Sequence, residues 1–253
     1  MTTPVVSFFN NKGGVGKTTL VYHLAWMAAD LGVTVLAADL DPQANLTAAC
    51  VDADRVEKLW EGRRQTIYGA ISPLLDGVGD LETVEVQRVA PRLNLLAGDL
   101  RLARAEQEFG QQWPYCLDAN PRAFRVVSAV ARAIKAAAES VDAQVVLVDV
   151  GPSLGAINRV AMVASDHVVV PLSPDLYSIQ GLRNLGPTLR SWRKEWAERR
   201  PKNPAADLWL PEGGMEPTGY VVLQHGVRVD RAVGAYDRWV KRAPAEYRES
   251  VLG

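Results

Sequence analysis

Short apolar runs alternate along the chain with longer stretches of helical period. Residues 5–9, Val-Val-Ser-Phe-Phe, are β-branched and aromatic, as in a strand buried on both faces. From Thr18 the period changes, with Leu20, Leu24, Met27, Ala28 and Leu31 on the expected inner face of a helix and Gly32 as its stop. Residues 33–40 and 145–148 predict two further buried strands, each running into a carboxylate-bearing segment. Residues 175–199 predict a long helix with Leu182, Leu185, Leu189, Trp192 and Trp196 facing inward. Residues 220–224 read as a strand and 231–242 as one helix. This alternation predicts one α/β domain over residues 1–253, a mostly parallel β-sheet with helices on both faces.

The first strand and helix are joined by Asn10-Asn11-Lys12-Gly13-Gly14-Val15-Gly16-Lys17-Thr18-Thr19. Glycines at such a junction let backbone N–H groups curl around an anion, and the helix N-terminus adds positive potential at the same point. Gly16-Lys17-Thr18 has the chemistry of a phosphate-binding loop (a P-loop). Lys17 is set to reach the β- and γ-phosphates of a nucleotide, and the Thr18 hydroxyl to ligate Mg²⁺. Lys12 is a second lysine, early in the loop, that an ordinary loop of this kind does not need.

Lys12 followed by Gly-Gly-Val-Gly-Lys-Thr-Thr resembles the deviant Walker A motif of the ParA/MinD family of P-loop ATPases, in its chromosomal, Soj-like partition branch. Asp39-Leu40-Asp41-Pro42-Gln43-Ala44-Asn45 resembles the family's DxDPQxN segment, and Asp149-Val150-Gly151-Pro152 its Walker B segment, with Gly151 where the family usually has proline. Residues 94–106 and 165–174 resemble the family's intervening strand and helix and the strand after Walker B. The resemblance covers about residues 1–195. It implies a P-loop NTPase fold, with ATP held by Lys12, Gly13, Gly14, Val15, Gly16, Lys17, Thr18 and Thr19. Mg²⁺ is expected at Thr18, Asp39 and Asp149. Asp39 either joins the metal's surroundings or braces its loop. Asp41 is implied to orient or activate the attacking water, with Lys12 and Lys17 completing the catalytic set. In relatives the early lysine crosses a dimer interface to the partner's nucleotide. The resemblance therefore implies an ATP-dependent homodimer, with hydrolysis stimulated by a ParB-like or other adaptor protein.

Charge sharpens this picture through its distribution. The chain carries 28 Lys and Arg against 29 Asp and Glu, so the total predicts no partner. From Gly181 onward 13 basic residues face 9 acidic ones, and Arg183, Arg190, Arg193, Lys194, Arg199 and Arg200 are expected on the outer side of the long helix. Such a strip suits non-specific contact with DNA phosphates, and the resemblance implies that contact in the ATP-bound dimer of a cytoplasmic, nucleoid-associated protein. The cysteines, Cys50 and Cys116, have no metal or redox spacing. They are also misplaced for the cluster ligands of the nitrogenase iron protein, a relative in the wider group. There is no signal peptide and no membrane-length apolar run. Residues 244–253 lack the amphipathic pattern of a membrane-surface helix. The ending is shorter than the family's usual one, as expected of a short or truncated form. Residues 51–92 are expected to supply helices and loops at a partner surface. The Pro-rich residues 199–218 are expected to form a long excursion with Trp209 as an anchor. The alternatives are a MinD-like membrane-surface positioning ATPase, a nucleotide-gated scaffold without turnover, and a metabolic P-loop enzyme that spends ATP on a small molecule.

Overall fold

The computed structural model describes residues 3–62, 64–223, 227–228, 231–232 and 234–253, with side chains for 3–62, 64–223 and 238–253. Seven strands form the main sheet: β1 (Val5–Phe8), β2 (Val35–Asp39), β3 (Gln87–Ala90), β4 (Leu93–Leu96), β5 (Val145–Asp149), β6 (His167–Leu172) and β7 (Glu216–Val222). Their order is β3-β4-β2-β5-β1-β6-β7. Every pair is parallel except β3 with β4 at one edge. The central strands are the ones that read as unbroken apolar runs, since a parallel strand covered on both faces has no polar side to alternate with. A two-residue hairpin, β8 (Val227–Arg228) with β9 (Arg231–Ala232), stands apart from this sheet.

The helices divide unequally between the faces. Those of the smaller layer are α1 (Lys17–Asp30), α2 (Asn45–Cys50) and α3 (Ala53–Glu61). They pack Val21, Ala25, Ala29, Leu46 and Leu59 against Val35, Ala37 and Leu147 of the sheet. The larger layer holds α4 (Ile67–Leu75), α5 (Ala105–Tyr115), α6 (Pro121–Val127), α7 (Ala129–Ser140), α8 (Ala156–Val163), α9 (Leu176–Arg199) and α10 (Gly234–Tyr247). It meets the opposite side chains of the same strands, Leu36, Ala38, Val146 and Val148. The period-2 alternation of a strand sorts neighbouring residues into separate cores.

Several expectations change here. The inner face of α1 is Val21, Ala25 and Ala29, while Met27 and Leu31 are exposed. Small residues let α1 lie close to the sheet, and Leu20, Leu24 and Ala28 of the expected face still pack half-buried against the same core. The expected strand at 220–224 starts earlier, at Glu216, and Gln224 lies outside the described residues. The expected helix at 231–242 begins instead at Gly234, after β9, and runs through Pro244 to Tyr247. It continues into a π-turn, Arg248–Leu252. Ala243, Tyr247 and Val251 join the larger core. The 199–218 excursion is tied down: the Trp196 indole donates to Pro211 O (3.0 Å), Arg193 donates to Met215 O (2.5 Å), and Leu210 and Met215 are buried. Residues 51–92 do supply helices, α3 and α4, with the antiparallel edge strand β3.

Candidate active site

Parallel register gathers the motifs at one end of the sheet. Phe8, the last residue of β1, is level with Asp149 at the end of β5, and Asp149 is level with Asp39 at the end of β2. Ligands of open α/β sheets bind at this carboxyl edge. The loop leaves β1 and turns into α1 through Gly14 (φ 73°) and Gly16 (φ 92°), in the left-handed region where a Cβ is strained. Val15 is buried and pins the loop from beneath, while Gly13 and Gly14 face solvent. Gly16 caps α1 without a side-chain bond, and no acidic residue occupies the first turn. The positive end of the helix is thereby open to an anion.

Lys17 is buried, and its ammonium donates to Lys12 O (3.3 Å). Burial holds its pKa below the usual lysine range, against the pull of the Asp149 and Asp41 carboxylates. Asp149 is fully buried, and neither carboxylate oxygen has a hydrogen-bond partner of ordinary geometry. Burial pushes its pKa up to about 7, and the nearby Asp39 and Asp41 push the same way. The Thr18 hydroxyl and the Lys17 ammonium oppose them from close by. A buried carboxylate without a donor is costly, and a divalent cation supplies the missing partner. Thr18 and Asp149 offer the hard oxygen donors that Mg²⁺ takes. Among the described residues no group of three or more His, Cys, Asp or Glu could hold a metal ion. Phosphate and water oxygens would therefore complete such a shell.

The two aspartates after β2 differ in what they touch. Asp39 accepts from Thr47 N (2.8 Å), Thr47 Oγ1 (2.7 Å) and Asp41 N (3.2 Å). These bonds tie the loop after β2 to α2, so Asp39 braces the segment that carries Asp41. Burial raises its pKa to about 6 while the Thr47 bonds hold it down. Asp41 is nearly buried and accepts from Gln43 N (2.9 Å). Gly151 lies against it: a Cβ there would sit 3.3 Å from Asp41 Oδ1. Two residues that sequence reasoning missed secure the segment after Asp149. The Asn158 amide donates to Gly151 O and Ser153 O (2.6 Å each). Glu106 accepts from Ala156 N (2.5 Å) and Ile157 N (2.9 Å), capping α8 from another helix. Glu106 stands 50 residues before its target, so no local pattern announces the contact. Lys12 points away from its own loop and pairs with Asp175 at the start of α9.

A family profile described as an AAA domain matches residues 3–200. The chain is 30% identical over 191 residues to the sporulation initiation inhibitor protein Soj of Bacillus subtilis, covering 75% of this chain and 66% of Soj. It is 32% identical over 189 residues to the chromosome partitioning protein ParA of Caulobacter vibrioides, covering 75% and 63%. The chain belongs to the ParA/MinD family of P-loop ATPases. A crystal structure of a Corynebacterium diphtheriae protein superposes on this ParA-type fold with a TM-score of 0.83 at 28% identity, covering 98% of this chain and 88% of that one. The match to a putative replication protein A of Rhizobium rhizogenes, 33% identical over 183 residues, spans only 42% of that protein, so the chain covers less than two thirds of several curated relatives.

Of the six basic residues expected on the outer side of the long helix, Arg183, Arg190 and Lys194 are exposed, Arg193 and Arg200 are half-buried, and Arg199 departs from the expectation. Arg199 is buried, donating to Trp113 O (3.1 Å) and Glu195 O (3.0 Å). Arg183 grips Glu246 through two bonds (2.6 and 2.9 Å). Arg190 donates to Ser250 O and Val251 O, Arg193 to Met215 O, and Arg200 to both oxygens of Glu212. Lys194 is exposed. Tertiary acceptors, invisible in the local pattern, consume most of the strip. Cys50 and Cys116 have thiols pushed up to about 12 by burial, as befits unreactive side chains. No helix among the described residues is long and apolar enough to cross a membrane.

Proposed function

We propose that this chain is a Mg²⁺-dependent ATPase whose ATP-bound form is a face-to-face homodimer that positions DNA or another cargo. The carrying observation is the unpartnered, buried Asp149 carboxylate beside Thr18 and Lys17, under a loop built for phosphate. Bound between Thr18, Asp149 and the phosphates, Mg²⁺ would neutralise charge on the β- and γ-phosphate oxygens. Lys17 binds the same oxygens and recovers the charge partners that burial denies it. Asp41 orients the attacking water and accepts its proton. Lys12 of one protomer reaches the partner's nucleotide and stabilises the charge that develops in transfer. Leu154, Leu176 and Tyr177 are exposed apolar residues on segments beside this mouth, a surface suited to burial between two copies. Hydrolysis is slow until an adaptor of ParB kind completes the geometry.

The DNA contact is proposed for the dimer, and it rests on membership of the ParA branch more than on α9. Lys194 and the exposed parts of Arg183 and Arg190 are the groups on this helix that a second copy would double. The test is the Asp41→Ala protein with ATP or ADP, on a sizing column and against DNA over a salt series. ATP-dependent dimers whose DNA affinity falls steeply with salt are expected, and Lys17→Ala abolishes ATP binding. Retained ATP affinity after Lys17→Ala would sink the loop assignment. Dimers blind to DNA would move the cargo to a membrane or a protein scaffold.

A further inference from the structure

Lys12 is held where it is from several sides. Its backbone N–H donates to Asn10 Oδ1 (2.9 Å), and the Asn10 amide donates to Pro171 O (2.7 Å), stitching the start of the loop to the end of β6. The ammonium then meets Asp175 Oδ2, with the Tyr177 ring centroid 6.0 Å away. Asp175 is itself fixed, because its Oδ1 accepts from Ser178 N (2.9 Å) as the N-cap of the 24-residue α9. One carboxylate oxygen serves the helix and the other serves Lys12. The Lys12 carbonyl accepts from the Lys17 ammonium, the group that a phosphate would draw away. Both loop lysines are therefore occupied by the chain's own acceptors, and the two contacts share one residue.

We propose that Asp175 is a latch on Lys12: it holds the ammonium on the protomer's own α9 until nucleotide binding and dimerisation draw Lys12 across to the partner's phosphates. This rests on the trans role given to Lys12 above, and it adds an order of events. Nucleotide pulls Lys17 off the Lys12 carbonyl, the loop start loosens, and the pair opens as the second copy arrives. The strength of the pair suits a latch. Both side chains are about a third exposed, and ion pairs so placed are modest, so dimer contacts can open this one.

Asp175→Asn tests the proposal, since asparagine caps a helix as well as aspartate does and removes only the charge; Asp175→Ser repeats the test with a second neutral cap. Dimerisation is measured by sedimentation with Mg²⁺ and a non-hydrolysable ATP analogue, beside Lys12→Ala and the double variant. Each dimer opens two latches, so Asp175→Asn should tighten the dimer Kd by roughly three- to twenty-fold. Nucleotide affinity, measured below the dimerisation range, should not change. The advantage should shrink as salt rises, because screening weakens the latch in the parent protein. The double variant should behave as Lys12→Ala does. Unchanged or weaker dimers from both neutral-cap variants, with Lys12→Ala still losing turnover, would overturn the latch alone. Lys12→Ala with parental dimerisation and turnover would remove the trans role, and the latch with it.

Discussion

Asp149 ends the central strand as a buried carboxylate with no hydrogen bond of ordinary geometry to either oxygen. A pKa raised from 3.8 to about 7 means that the folded chain keeps a proton the unfolded chain has released. Without nucleotide, stability therefore falls as pH rises between about 4 and 7, and the penalty is complete above that window. Asp39, raised to about 6, adds a slope of the same sign. Asp149→Asn should flatten the pH dependence of the melting temperature between pH 5 and 8, and raise the nucleotide-free value at pH 8 by a few degrees. It should also remove Mg²⁺-dependent nucleotide binding. A slope as steep as the parent's would mean that Asp149 has a partner in solution. Lys17 and Thr18 are legible in the sequence because their spacing is bound to one strand–loop–helix unit, and Asp149 because it ends a separate apolar run, β5. The bonds that brace Asp39 are not legible, because they depend on Thr47 folding back eight residues later.

At the scale of elements, α9 does several jobs that its sequence pattern shows unevenly. Its apolar side was plain: Leu182, Leu185, Leu189, Trp192 and Trp196 are all buried. Its basic side is only partly legible: Arg183, Arg190 and Lys194 are exposed as the pattern predicts, while Arg199 is buried by an acceptor on α5, which no local pattern announces. Arg199 packs its guanidinium 4.9 Å from the Trp113 ring centroid, with Arg159 4.3 Å from the same ring. Arg199→Ala removes this packing as well as two hydrogen bonds, and should cost about 2–3 kcal/mol in urea unfolding. DNA affinity per folded molecule should be unchanged. A large loss of DNA affinity at parental stability would return Arg199 to the DNA surface. The 199–218 excursion resisted reading for a similar reason: its anchors are the Trp196 indole and the Arg193 guanidinium, both on the preceding helix.

For the molecule as a whole, the sheet separates a thin layer, α1–α3, from a thick one. The α/β class, parallel sheet and two-sided cover were legible because buried strands and amphipathic helices alternate. The unequal division was not, since periodicity says which face of a helix is buried and not which face of the sheet it joins. Local opening should follow the division. Amide hydrogens of α2 and α3 should exchange before those of α8 and α9, and nucleotide should slow α2, where Thr47 holds Asp39. Equal exchange in both layers would count against this. One feature of the thick layer has a practical use. Trp113 and Trp196 stack with ring centroids 5.9 Å apart at 24°, and Trp192 stacks on Phe9, just before the phosphate loop. Indoles this close absorb ultraviolet light as a coupled pair, and their circular dichroism depends on mutual orientation. Because α9 carries both the residues that follow Asp175 and one indole of the pair, the unlabelled protein contains its own optical gauge of whether that helix moves.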